Sequence, residues 1–135
     1  MDRDTDSEVI AITADELSDD TAQTEGLPRL AGVSGDTTGA SSIWMGRPTG
    51  EPGMDSGPHH HGEAETAGYV MSGESRIYYG EDYDEYVDLG PGDFVYVPPY
   101  LPHVERNRSE TEPVEFVTAR SPDNIVVNLD DDPDI

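Results

Sequence analysis

The chain has 135 residues, no cysteine and a formal net charge of −23 at pH 7. It suits one small domain and excludes disulfides, thiolate metal sites and cysteine nucleophiles. All seven basic residues are arginines and lysine is absent, so the surface repels nucleic acid and anionic lipid. Carboxylates spread along the whole chain fit a protein adapted to a salt-rich cytoplasm, where molar salt screens their mutual repulsion beyond ~3 Å.

In chain order, residues 1–22 form an acidic arm whose one β-prone patch, "EVIAI" (8–12), is a possible edge strand. No apolar run approaches the ~18 residues of a membrane helix, and the N-terminus is acidic rather than basic. Neither a membrane span nor a signal peptide is therefore expected, and the protein is assigned to the cytoplasm. Residues 23–129 read as short strands separated by turn residues. "LPRLAGVS" (27–34) and "SSIWMGR" (41–47) flank the turn "GDTTG". "TAGYVMSG" (66–73) leads through Ser72-Gly73 into "ESRIYYG" (74–80). Then come "YVDLG", "DFVYVPP", "HVERN", "VEFVTAR" and "NIVVNL". Val, Ile, Tyr and Phe dominate these runs, and no window keeps a helical period; "TADELSDD" (13–20) is too short and too charged. Residues 130–135 close the chain as an acidic tail. The pattern predicts an all-β sandwich or barrel, and a homodimer that covers an exposed strand.

The chemistry concentrates in "GPHHHGEAE" (57–65), which holds three of the four histidines; His103 is the fourth. Side chains alternate along an extended strand, so His59 and His61 face one side and His60 the other. Glu65 lies where a turn at Gly62 brings a carboxylate to the same ion, with Glu63 as the rival. Pro98, Pro99 and Pro102 fix the approach of the chain to His103. A jelly-roll barrel is the fold that brings these distant strands around one cavity. His59, His61, Glu65 and His103 then form a three-histidine, one-carboxylate shell for a divalent ion such as Fe, Mn, Ni, Cu or Zn. Calcium, which prefers an all-oxygen cage, is disfavoured.

These residues resemble the cupins. The first cupin motif runs glycine, five residues, His-x-His, three or four residues, Glu, six residues, glycine. Here Gly53 precedes His59 and His61 at that spacing and Glu65 follows after three residues, while Gly73 comes after seven instead of six. If the loop is reset by one residue, Thr66 takes the ligand position and the site is three-histidine. The second motif is matched by Gly92, Pro98, His103 and Asn107, with Tyr100 in place of a glycine, implying a differently shaped turn. The resemblance spans residues 53–107 and implies a small double-stranded β-helix, or jelly-roll, domain.

The function this implies is a metal-dependent enzyme acting on a small molecule by dioxygenase, isomerase or lyase chemistry, with Glu65 as a ligand able to leave the metal and act as a base. The alternative is a non-catalytic metal or small-ligand binding module. Of the aromatic residues, Trp44, Tyr69, Tyr78, Phe94 and Tyr96 are expected mostly in the core. Arg47 and Arg76 are expected to pair with surface carboxylates. Asn107 shares the parity of His103, and either faces the cavity or caps a turn.

Overall fold

The computed structural model describes residues 8–130. Ten strands follow in order: β1 (Arg29–Val33), β2 (Trp44–Gly50), β3 (His59–His60), β4 (Glu65–Ser72), β5 (Ser75–Tyr79), β6 (Glu85–Leu89), β7 (Phe94–Val97), β8 (Val104–Asn107), β9 (Val114–Ser121) and β10 (Val127–Asn128). They form a five-stranded sheet ordered β1-β2-β9-β4-β7, a three-stranded sheet β6-β5-β8, and a short β10-β3 ribbon. Every pairing is antiparallel.

Alternation explains which residues point inward. On β9 the buried positions are Val114, Phe116, Thr118 and Arg120, and on β4 they are Thr66, Gly68 and Val70. Val70 opposes Phe116 and Thr66 opposes Arg120, so the lining of the barrel changes character along the same two strands. At one end Val70, Ile77, Leu89, Val114 and Phe116 pack as an apolar core. Four residues further along β4 and β9, roughly 13 Å at strand rise, the lining is polar.

Local turns follow from local chemistry. The expected turn "GDTTG" is a single helical turn, α1 (Gly35–Thr38), capped by the Ser34 hydroxyl and closed by left-handed Gly39. Gly73, at φ +87°, joins β4 to β5, and a Cβ there would collide with the backbone of Val114. Tyr100 occupies the motif's glycine position yet keeps a left-handed backbone, φ +61°, and its N–H donates to the Gly62 carbonyl at 2.8 Å. A non-glycine residue thus holds the left-handed conformation at this position.

Residues 8–12 form no strand, and Val9 is fully exposed. Instead Ser18 bridges Ala31 on β1, and 13–20 holds only the 3-10 turn Ala14–Glu16. The acidic arm thus has its end, Ser18 onward, pinned to the barrel. Residues 131–135 of the expected tail, and 1–7 of the arm, lie outside the described residues. Among the aromatic residues, Trp44 and Tyr78 are buried as expected, but Phe94, Tyr96 and Tyr69 stand on the outer face of the large sheet. In "FVYV" both faces are apolar, and Val95 and Val97 are the ones that turn inward toward the cavity. Arg47 and Arg76 pair with Glu115 and Asp88 at the surface, as expected. No helix among the described residues is long and apolar enough to cross a membrane.

Candidate metal centre

His59 and His103 are 44 positions apart in sequence, and the backbone itself joins them. The His59 N–H donates to the His103 carbonyl at 3.0 Å, and the His103 N–H returns the bond at 2.9 Å. This reciprocal bridge sets both side chains on the inner face. His61 follows two residues later with the same parity, so the three imidazoles converge with ring centroids 4.4–5.2 Å apart. One ring nitrogen from each lies within 4.8 Å of the others, and all three side chains are buried. His60 faces outward, half-buried beside Tyr100, as alternation requires.

Each ring is fixed at Nδ1 by a main-chain carbonyl: His59 on Gly57 (3.1 Å), His61 on Ile125 (2.8 Å) and His103 on Leu101 (2.9 Å). A carbonyl only accepts, so Nδ1 carries the proton and each Nε2 presents its lone pair. Such outer hydrogen bonds orient imidazole for a metal. Burial lowers the pKa of His59. His61 is pushed down to about 2 by burial and the nearby Arg120 guanidinium. His59 and His61 are thus held neutral, the form in which imidazole ligates.

Glu65 is not with them. It opens β4 on the outer face, exposed, and accepts a hydrogen bond from the Tyr96 hydroxyl at 2.7 Å. Glu63 is exposed as well. The inward position of β4 belongs to Thr66, which corresponds to the motif count that reaches Gly73 in six residues. The carboxylate that faces the triad is Glu105, on β8 two residues after His103. Its Oε2 lies 3.5 Å from His59 Nε2 and 3.7 Å from His103 Nε2. Reasoning from sequence missed Glu105, although it has the same strand parity as His103.

This donor set fits a metal. His59 Nε2 is buried with no hydrogen-bond partner among the described residues. Lone pairs on two imidazoles and a carboxylate oxygen face one another, an arrangement that a cation between them relieves. Asn107, the fourth motif residue, serves the loops. Its amide donates to the Gly50, Glu51 and Glu112 carbonyls and its oxygen accepts from the Ser109 N–H.

Two buried arginines complete the polar end. Arg120 donates to Thr66 Oγ1 (2.9 Å), Asn124 Oδ1 (2.8 Å) and His61 Nε2 (3.1 Å). Arg29, on β1, donates to Thr24 Oγ1 at 3.1 Å. With His61, His103, Glu105 and Thr66 they line an internal cavity of about 30 Å³. A second pocket of about 280 Å³, lined mainly by apolar groups including Ile77, Val87, Val95 and Leu101, also reaches His103.

Residues 49–120 match the cupin domain family model, and the chain belongs to that family. Solved structures share its fold. An uncharacterized conserved protein with a double-stranded β-helix domain from Klebsiella pneumoniae aligns with a TM-score of 0.64 at 20% identity, covering 82% of this chain and 91% of that one. Oxalate decarboxylase from Bacillus subtilis aligns with a TM-score of 0.66 at 24% identity over 82% of this chain, which spans 29% of that protein's length. Another structure of the same enzyme, described for its Mn(II) centres, aligns at 25% identity and a TM-score of 0.66, covering 81% of this chain and 29% of that one. No curated protein matches the sequence.

Proposed function

We propose that the chain is a metal-dependent enzyme acting on a small molecule, with His59, His61 and His103 holding one divalent ion of the Fe, Mn, Ni, Cu or Zn type. The observation that carries this is the set of three Nε2 lone pairs, each fixed by a main-chain bond at Nδ1, converging on a buried point beside a carboxylate. Glu105 supplies that carboxylate in this reading, and the exposed Glu65 has neither a ligand nor a base role. When bound, such an ion supplies Lewis acidity and open coordination positions. The chain's own residues exclude water, fix the imidazoles and present cationic donors around the cavity. The Mn(II) centres of the oxalate decarboxylase are consistent with this donor set. The protein is read further as a cytoplasmic homodimer adapted to high salt.

Protein stripped with EDTA and reconstituted with Mn²⁺, Fe²⁺ or Zn²⁺ should bind one equivalent by elemental analysis. His103→Ala and Glu105→Gln should each lower occupancy, and Glu65→Gln should not. Unchanged occupancy in His103→Ala overturns the site. Turnover by the loaded protein separates an enzyme from a binding module of the same shell.

A further inference from the structure

The interior of this barrel has the opposite charge to its surface. The chain carries 30 acidic residues and seven arginines, yet the buried ionic side chains among the described residues, histidines aside, are Arg29, Arg120 and Glu105. Two guanidiniums therefore face one carboxylate in a water-poor space, where an uncompensated cation is costly.

Neither guanidinium makes a salt bridge among the described residues. Arg29 is 1% exposed, and its Nε and Nη2 are buried with no acceptor among those residues. Arg120 spends its donors on neutral atoms, one of them the His61 Nε2 lone pair. That is the lone pair a metal would take, so an ion on His61 leaves Arg120 Nη2 without its acceptor. A guanidinium stays protonated in proteins, so both are cationic donors.

We infer that the barrel binds a small organic carboxylate, its anionic head between Arg29 and Arg120 and its apolar body in the pocket at Ile77, Val95 and Leu101. The shape supports each half. An inner space of about 30 Å³ admits a small head and no large one, and a planar guanidinium matches the two oxygens of a carboxylate. His103 lines both spaces, so the triad stands at the junction of head and body. The inference deepens the metal-enzyme reading by naming its substrate class, and rests on that reading only for the ion at the junction.

The test is calorimetric titration with 4-methylpentanoate, its uncharged isostere 4-methylpentanamide and inorganic phosphate, on protein with and without reconstituted Mn²⁺. Metal content and urea midpoint are recorded for every sample. The acid should bind at least about tenfold more tightly than the amide, the scale of a charged hydrogen bond, and more tightly than phosphate. Arg29→Met should remove that preference while the metal content stays that of the wild type; Arg47→Met, at the surface, should change nothing. Equal binding of acid and amide, tighter binding of phosphate, or an unaltered preference in a folded Arg29→Met protein each overturns the inference. If Arg29→Met does not fold, the acid–amide comparison on the wild type still decides. Metal bound without acid preference sinks this inference alone; acid preference in protein that takes up no metal sinks the metal reading alone.

Discussion

Acidification of the metal-free protein tests the electrostatic account of the triad directly. His61 is 2% exposed and keeps its proton off down to about pH 2, because burial and the adjacent Arg120 both penalise the imidazolium. In the unfolded chain the same side chain titrates near 6.5. Below pH 6.5 the unfolded state therefore binds a proton that the native state refuses, and stability falls as pH drops, with the loss continuing to about pH 2. Integrated from neutrality to pH 4.5, His61 alone removes ~2.7 kcal/mol, a large share of the ~5–15 kcal/mol typical of a domain. His59 is shifted the same way, chiefly by burial, and steepens the slope. One effect opposes these: protonating surface carboxylates relieves the repulsion of a −23 chain. Measurement in ~2 M KCl, where screening acts within ~3 Å, suppresses it. Urea unfolding of EDTA-treated protein can be followed by Trp44, the single tryptophan, which is buried beside Arg120. The urea midpoint should fall between pH 6.5 and 4.5, and His61→Gln should flatten that fall by ~1.4 kcal/mol per pH unit. A midpoint that stays level or rises over this range would refute the neutral, desolvated His59 and His61.

Other expectations follow from single residues. Asn107→Ala strips the Gly50, Glu51 and Glu112 carbonyls of their donor and should cost about 2–3 kcal/mol in urea unfolding while leaving bound metal unchanged; lost metal at full stability would contradict its loop-pinning role. Tyr69, Met71, Phe94 and Tyr96 form an exposed apolar stripe on the large sheet, with the Tyr69 and Phe94 rings tilted against each other at 4.8 Å between centroids. Sedimentation should find a dimer that Phe94→Glu dissociates; a monomeric wild type would end that reading. The urea midpoint at neutral pH should climb with KCl concentration as repulsion among the carboxylates is screened, and a midpoint insensitive to salt would count against the halophilic reading.

Strand parity carried most of what the sequence had to say, and it misled only where a strand was apolar on both faces or a loop changed the count. The periods of "VEFVTAR" and "TAGYVMSG" mark β9 and β4, and counting by twos from Phe116 reaches Thr118 and then Arg120. Counting by twos from His103 reaches Glu105 and Asn107. Both steps needed no structure. "FVYV" and "LPRLAGVS" offer no such contrast, because Phe94 and Val95, or Leu30 and Ala31, are equally apolar. The inward turn of Arg29 and the outward turn of Phe94 therefore rest on pairing with neighbouring strands. Glu65 fell to a one-residue ambiguity after the Gly62 turn, and the six-residue step from Thr66 to Gly73 was the clue that settled its side of the strand.

That one-residue step has a chemical consequence larger than the exchange of one ligand for another. A carboxylate at Thr66 would lie against Arg120, whose Nε now donates to the threonine hydroxyl, and would neutralise it. With threonine there and the carboxylate moved to Glu105 on β8, the negative charge sits by His59 and His103. The β1 and β9 side of the cavity keeps two guanidiniums without carboxylate partners. The one buried carboxylate among the described residues thus stands on the His59 and His103 side and the opposite side is left cationic. A metal on the histidines adds positive charge to that excess, so the site gains affinity for an anion in the same step that takes Arg120's acceptor at His61. Metal and carboxylate binding are then coupled by linkage, each tightening the other, through Arg120 and His61.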